Sequence, residues 1–227
     1  MSKHILLNSL LSLFVCMALI PESHAETLDE RLEALGYIDV ERVNPSIKVE
    51  LMYGRDDNFT GRVLYHGLTR AWLHPVAAAS LDSAQRVLTQ LHPGYRLLVK
   101  DAARPMSVQR TMFNAVRGTP QANYVANPAN GGGLHNYGMA VDLTIIDTSG
   151  KEIDMGTPVD HLGPEANIWR EDQLVASGYM TAEARANRQL LRRVMKAAGF
   201  IPLRSEWWHF NRVSKAEAKR KYKILDF

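Results

Sequence analysis

Three short stretches set ionisable side chains in apolar, strand-like surroundings, where a charge is costly unless it is paired or bound to a metal. The first runs from Gly133 to Asp142, with His135 in a glycine-flanked loop and Asp142 inside the apolar run that follows. These two residues fit either a metal site or a structural His–Asp hydrogen bond. The second is Ser205 to Phe210, with Glu206 and His209 around Trp207 and Trp208. A histidine ligand beside a carboxylate that handles the proton of a water molecule is a hydrolytic pairing, as in helical His-Glu-x-x-His proteases. On a strand, a spacing of three points two side chains to opposite faces, so a shared site needs a bulge or a turn. The bland reading pairs Glu206 with Arg204 and puts both tryptophans in the core. The third stretch is Lys100 to Pro105, where an arginine held at a strand end by proline suits an oxyanion or a carboxylate. A plain ion pair between Arg104 and Asp101 is the alternative.

Taken together, these stretches resemble a known family, the zinc D-alanyl-D-alanine dipeptidases, within the wider group of zinc peptidases that act on D-Ala peptides and peptidoglycan. Asp56 to Gly61 is similar to the family's N-terminal signature, and Asp101 to Pro105 to its Asp-x-x-Arg-Pro turn. His135 to Asp142 resembles its His-x6-Asp metal motif. Met155 to Asp160 resembles its Met-Gly-Thr-Pro-x-Asp loop, and Asn187-Arg188 with Glu206 to His209 its C-terminal signature. The resemblance covers most of the chain beyond the leader. It implies one zinc ion held by His135, Asp142 and His209. It also implies Glu206 as general base and then acid, Arg104 as transition-state stabiliser, and Asp160 as partner of the substrate's amino group. The implied reaction is hydrolysis of the D-Ala-D-Ala dipeptide in cell-wall peptide metabolism. One position departs from the pattern: Gly133 stands where the family has a serine that helps hold the dipeptide. Two other readings stay open: a D,D-carboxypeptidase or endopeptidase on longer stem peptides, and a non-catalytic, zinc-containing muropeptide-binding protein.

These residues need elements to position them. Leu28 to Leu35 predicts a short helix closed by Gly36, and the alternation of Ser46 to Leu51 predicts a strand. Arg55 to Gly67 reads as loop. Pro75 opens a helix that His92-Pro93-Gly94 stops, and a strand over Tyr95 to Val99 leads into the Asp101–Pro105 turn. Ser107 is expected to cap the next helix, which ends near Gly118. Ala140 to Ile146 reads as a buried strand, Ala182 to Ala198 as the clearest amphipathic helix, and Phe200 to Phe210 as extended chain. Ser214 to Glu217 forms a capping-box pattern for a last helix. Helices and strands intermix without regular βα alternation. The expected class is therefore α+β, one domain over residues 26–227, with a small, mostly antiparallel central sheet and helices packed around it.

The 227 residues carry 46% hydrophobic and 22% charged side chains, which excludes a collagen-like, low-complexity or wholly disordered chain. The net charge of +3 is not gathered into a basic stripe, so nucleic acid is not an expected partner. Residues 1–25 read as a secretory signal peptide, with Lys3, an apolar run from Ile5 to Ile20, and the small-x-small site Ser23-His24-Ala25. The expected location is periplasmic or secreted, with no membrane anchor after cleavage. Cleavage removes the one cysteine, Cys16, and leaves His, Asp and Glu as the ligand types for a metal. The expected partner is a small D-amino-acid dipeptide. The oligomeric state is not legible in the sequence.

Overall fold

A computed structural model describes residues 25–227, so the expected leader lies, apart from Ala25, outside the described residues. The chain runs α1 (Leu28–Ala34), β1 (Ile38–Asp39), α2 (Val40–Val43), β2 (Lys48–Val49), β3 (Trp72–Leu73), α3 (Pro75–Leu91) and β4 (Arg96–Asp101). It continues through α4 (Met106–Val116), β5 (Ala140–Ile146), α5 (Glu171–Ala176), α6 (Ala182–Ala197), β6 (Ile201–Leu203), β7 (Glu206–Asn211) and α7 (Lys215–Lys221). The class is α+β. Five strands form the central sheet in the order β2-β4-β5-β7-β6, and β1 pairs with β3 apart from it.

The central sheet is mixed, which corrects the expectation of a small, mostly antiparallel one: β2 joins β4 in parallel, while β4–β5, β5–β7 and β7–β6 are antiparallel. The strand expected over Ser46 to Leu51 shrinks to Lys48–Val49. A two-residue edge strand takes its partner and direction from where the chain arrives, not from its own alternation. Ser107 is not the cap of α4. The helix starts two residues earlier than that cap would place it, after Pro105, and its first N–H groups, those of Met106 and Ser107, donate to the carbonyls of Leu225 and Phe227.

The main core lies between the sheet and the pair α3 and α6. Val141, Leu143 and Ile145 of β5 share it with Leu81 and Leu88 of α3 and Leu191, Val194 and Met195 of α6. Each such side chain removed from water is worth ~1.5–3 kcal/mol. A strand alternates its faces, so the other side of β5 is left to Asp142 and Thr144. Trp207 and Trp208 are both fully buried, as the bland reading expected. A second core cluster, with Leu32, Tyr53, Tyr65 and Met112, sits under α1 and α4; it carries Tyr53 to the wall of the site and lets the Tyr65 hydroxyl donate to Asp101. Among the described residues, no helix is long and apolar enough to cross a membrane.

Candidate active site

All six residues singled out in the sequence line one pocket of about 380 Å³: Arg104, His135, Asp142, Asp160, Glu206 and His209. Two irregularities of the sheet bring them there. β5 and β7 place Asp142 directly opposite His209. Along β7, Glu206 pairs with Leu203 of β6 but Phe210 pairs with Pro202, so β7 carries extra residues between these pairs. That bulge lets Glu206 and His209, three apart, face the same cavity, with Glu206 Oε2 3.9 Å from His209 Nδ1. A second shift, between Val99 and Asp101 of β4, sets Asp101 opposite Asp142. His135 comes from a tight turn, Leu134–Tyr137, closed by Gly138 in the left-handed region (φ 62°) just before β5.

His135 Nδ1 lies 2.7 Å from the carbonyl oxygen of Ala102. A carbonyl only accepts, so Nδ1 carries the hydrogen and Nε2 of the neutral ring presents a lone pair. His209 Nε2 lies 2.9 Å from Asn211 Oδ1, which leaves His209 Nδ1 unprotonated by the same argument. The two free nitrogens stand 3.1 Å apart. Asp142 meets both: Oδ2 is 3.2 Å from His135 Nε2, and Oδ1 is 2.9 Å from His209 Nδ1. Such a cluster repels itself unless positive charge sits at its centre, as a shared proton or a metal ion. Burial pushes the Asp142 carboxyl up, but the positive charge available at His135 and His209 outweighs it and holds the group well below the carboxylate range. His135, Asp142 and His209 form a group able to hold a metal, with ligand atoms within 4.8 Å of one another. Two imidazoles and one carboxylate suit a zinc-type ion with an open position, whereas calcium and magnesium prefer all-oxygen shells.

Around this cluster stand three further ionisable groups. Glu206 is only 8% exposed, and burial first, then the charges of Asp142 and Asp160, push its carboxyl up to about 8. Arg104 is buried and held on three sides. Nε donates to Asp101 Oδ2 at 2.9 Å, Nη2 donates to the same oxygen, and Nη1 donates to Gln109 Oε1 at 2.9 Å. The expected Asp101–Arg104 ion pair therefore exists, and it aims the guanidinium instead of consuming it: Nη2 lies 3.8 Å from Asp142 Oδ2. Asp160 accepts a hydrogen bond from the Tyr53 hydroxyl. Burial, then the charge of Asp142, raises its carboxyl to about 7. It is the one non-glycine among the described residues with positive φ (61°), the kind of outlier that collects at functional sites. Its loop is tied down by α6: Arg188 donates to the carbonyls of Met155 and Glu165 and to Thr157 Oγ1, and Asn187 donates to the carbonyl of Asp154.

The sequence reading missed Tyr53, Gln109 and Asn211. Asn211 had a signal, because it lies two residues after His209 on a strand and so shares its face. Tyr53 and Gln109 had none, since their loop and helix meet the site only through the tertiary fold. His66 and His161, which sit in loops beside the family-like segments, do not line the pocket; His161 pairs with Glu165 at 2.9 Å. Arg204 forms no ion pair with Glu206, so the bland reading of that carboxylate fails.

A profile of D-ala-D-ala dipeptidases, within the M15 peptidases, matches residues 33–226. The D-alanyl-D-alanine dipeptidase of Escherichia coli (strain K12) is 31% identical over 173 residues, 76% of this chain and 82% of that one. A D-alanyl-D-alanine dipeptidase of Synechocystis is 28% identical over 189 residues, 65% of this chain and 71% of that one. One from Enterococcus faecalis is 28% identical over 202 residues, 79% and 93% of the two chains. A match that runs through the core, the metal-type cluster and both sheet irregularities leaves one assignment: this chain belongs to the D-ala-D-ala dipeptidase family of M15 metallopeptidases.

Proposed function

We propose that the chain is a zinc-dependent D-alanyl-D-alanine dipeptidase, with His135, Asp142 and His209 as ligands, Glu206 as general base and acid, Arg104 as oxyanion partner and Asp160 as ammonium partner. The observation that carries this reading is the pair of imidazole lone pairs facing each other and a carboxylate, in one pocket with a buried glutamate and a fixed guanidinium. Zinc, when bound, supplies Lewis acidity that acidifies water and polarises a carbonyl. Glu206 takes the proton of the attacking water on a carboxylate oxygen and returns it to the nitrogen of the leaving D-alanine. A general acid–base of this kind contributes about 10²–10⁴-fold, and works best with a pKa near the operating pH. Arg104 has one free N–H on each terminal nitrogen after Asp101 and Gln109 are served, and these donate to the oxyanion as its charge develops. Asp160 receives the substrate's ammonium. The raised carboxyl of Asp160 ionises more readily beside that charge, and acylated or longer N-termini lose the pairing.

The pocket volume falls within the range of ~300–1,000 Å³ usual for small-molecule sites. Its wall includes Phe59, Met112, Tyr124 and Leu162, and Gly133 contributes no side chain. That apolar room favours a second reading, a D,D-carboxypeptidase or endopeptidase on longer stem peptides. Residues 1–25 support export to the periplasm or beyond, with residues 26–227 as the catalytic domain. The deciding experiment is release of D-alanine from free D-Ala-D-Ala by residues 26–227, with chelator and with zinc added back. Zinc-restorable release from the dipeptide, and little from blocked or pentapeptide substrates, is expected. Release from the longer substrates alone would move the assignment to the second reading.

A further inference from the structure

The pocket's acidic and basic groups are unevenly distributed. Asp160, Asp142 and Glu206 are answered by His135, His209 and Arg104, and Arg104 is already engaged by Asp101 and Gln109. One other cation lines the same cavity, Lys215, at the first position of α7. Its Nζ donates to the carbonyl oxygen of Gly132 at 2.7 Å. An ammonium has three donors, and among the described residues no carboxylate lies within ion-pair distance of this one. Lys219 lies along the same helix, with its Nζ 3.7 Å from where a Cβ on Gly131 would stand. Lys215 is an exposed residue at the rim of the cavity, and partial burial, then the neighbouring Lys219 charge, holds its ammonium below the ordinary lysine range.

Next to Lys215 the wall of the pocket is bare backbone. A Cβ added at Gly133 would press on the Ala126 methyl carbon at 3.2 Å, so the wall here is backbone and that methyl, and the Gly133 N–H is already given to Asn136 Oδ1 at 2.8 Å. The cavity of about 380 Å³ is lined by both Gly133 and Lys215, and an anionic group on this side of it would meet the lysine, whose ammonium has a carbonyl but no carboxylate as partner. The lysine and Asp160 also work as separate poles. The leading charges acting on Asp160 are those of Asp142, Arg104 and Asp101, and the charge acting on Lys215 is that of Lys219. A free dipeptide carries an ammonium at one end and a carboxylate at the other. Asp160 with Tyr53 accounts for the first and leaves the second without a partner.

We propose that Lys215 binds the α-carboxylate of the substrate's C-terminal residue, so that the pocket reads both charged ends of an unblocked peptide. This rests on the peptidase reading above, and it names the group by which a free C-terminus is selected. Hydrogen bonds to charged groups contribute enough that the preference for a free acid over its neutral amide should be about ten- to hundredfold.

The test compares D-Ala-D-Ala with D-Ala-D-Ala amide on the zinc-loaded protein, in the wild type, K215M and K215R. The wild type should prefer the acid. K215M should lose most of that preference through a higher KM for the acid, with kcat within about twofold, as loss of binding shared equally by ground state and transition state requires. K215R, which keeps a cation at the position, should retain most of it. Circular dichroism melting of each variant separates loss of recognition from loss of fold. If K215M keeps the wild-type preference, or the wild type shows none, the assignment of Lys215 is overturned while the dipeptidase reading stands. If the wild type cleaves neither compound, both fall together.

Discussion

At the scale of single residues, the site is a set of groups whose second atoms are already committed. His135 is turned by the Ala102 carbonyl and His209 by Asn211, so each ring offers a defined lone pair to the cluster. Outer partners of metal-binding histidines commonly carry about 10–100-fold in metal affinity. Asn211→Ala should therefore weaken zinc binding by that order in a competition titration against a fluorescent chelator; unchanged affinity would remove Asn211 from the orienting role. Glu206 makes the opposite prediction. Its carboxyl is raised by burial and sits 3.9 Å from His209 without sharing the ligand positions. Glu206→Gln should keep one zinc per chain by elemental analysis and lose about 10²–10⁴-fold in kcat. Near wild-type turnover would exclude Glu206 as the base. The two residues also differ in legibility. Glu206 stood out because a charge amid tryptophans is conspicuous, whereas Asn211 is an ordinary polar residue until His209, two positions before it on the same face of β7, is read as needing an outer partner.

At the scale of elements, the active site depends on departures from regular structure. An unbroken β7 would send Glu206 and His209 to opposite faces, and the bulge against β6 is what unites them. The need for such a departure was legible in the odd spacing. Its location was not, because Pro202, where the pairing slips, marks an edge strand as readily as a bulge. The turn between His135 and Asp142 depends on Gly138 in the same way. Its φ of 62° is unfavourable for a residue with a Cβ, and a Cβ there would stand 2.3 Å from Tyr37 Cε1 and 3.0 Å from the His74 nitrogen. The Gly138 carbonyl also accepts the His74 N–H at the start of α3, so this turn joins one ligand loop to the main helix layer. Left-handed backbone costs ~1–2 kcal/mol for an ordinary residue, before any clash with a ring. Gly138→Ala should lower unfolding stability in urea by more than that figure and weaken zinc binding as well, since His135 and Asp142 lie on either side of it. A loss of stability with unaltered metal affinity would show that the turn serves the fold alone.

At the scale of the whole molecule, the metal-type cluster joins one short stretch, His135 to Asp142, to His209, 67 residues after Asp142. His135 precedes β5, Asp142 lies within it, and His209 sits on the neighbouring strand β7, which follows α6 in the chain. The α+β class and the helices α3 and α6 were legible because their apolar periodicity is strong. The parallel pairing of β2 and the capping of α4 by the carbonyls of Leu225 and Phe227 were not, because both are set by where distant chain segments arrive. A site assembled this way exists only in the folded state, so a metal that binds it stabilises the whole fold by RT ln(1 + [L]/Kd), about 2.7 kcal/mol at a hundredfold excess over Kd. Zinc should therefore raise the melting temperature of residues 26–227 in proportion to the logarithm of its free concentration, and chelator should reverse the rise. The ligands bind metal only when deprotonated, so the rise should shrink as the pH falls. His209→Ala supplies the control: it removes a ligand from the edge of the cluster, and its melting temperature should no longer respond to zinc. An equal response in His209→Ala and the wild type would mean that zinc stabilises the protein from some other place, and the cluster of His135, Asp142 and His209 would lose its claim to the metal.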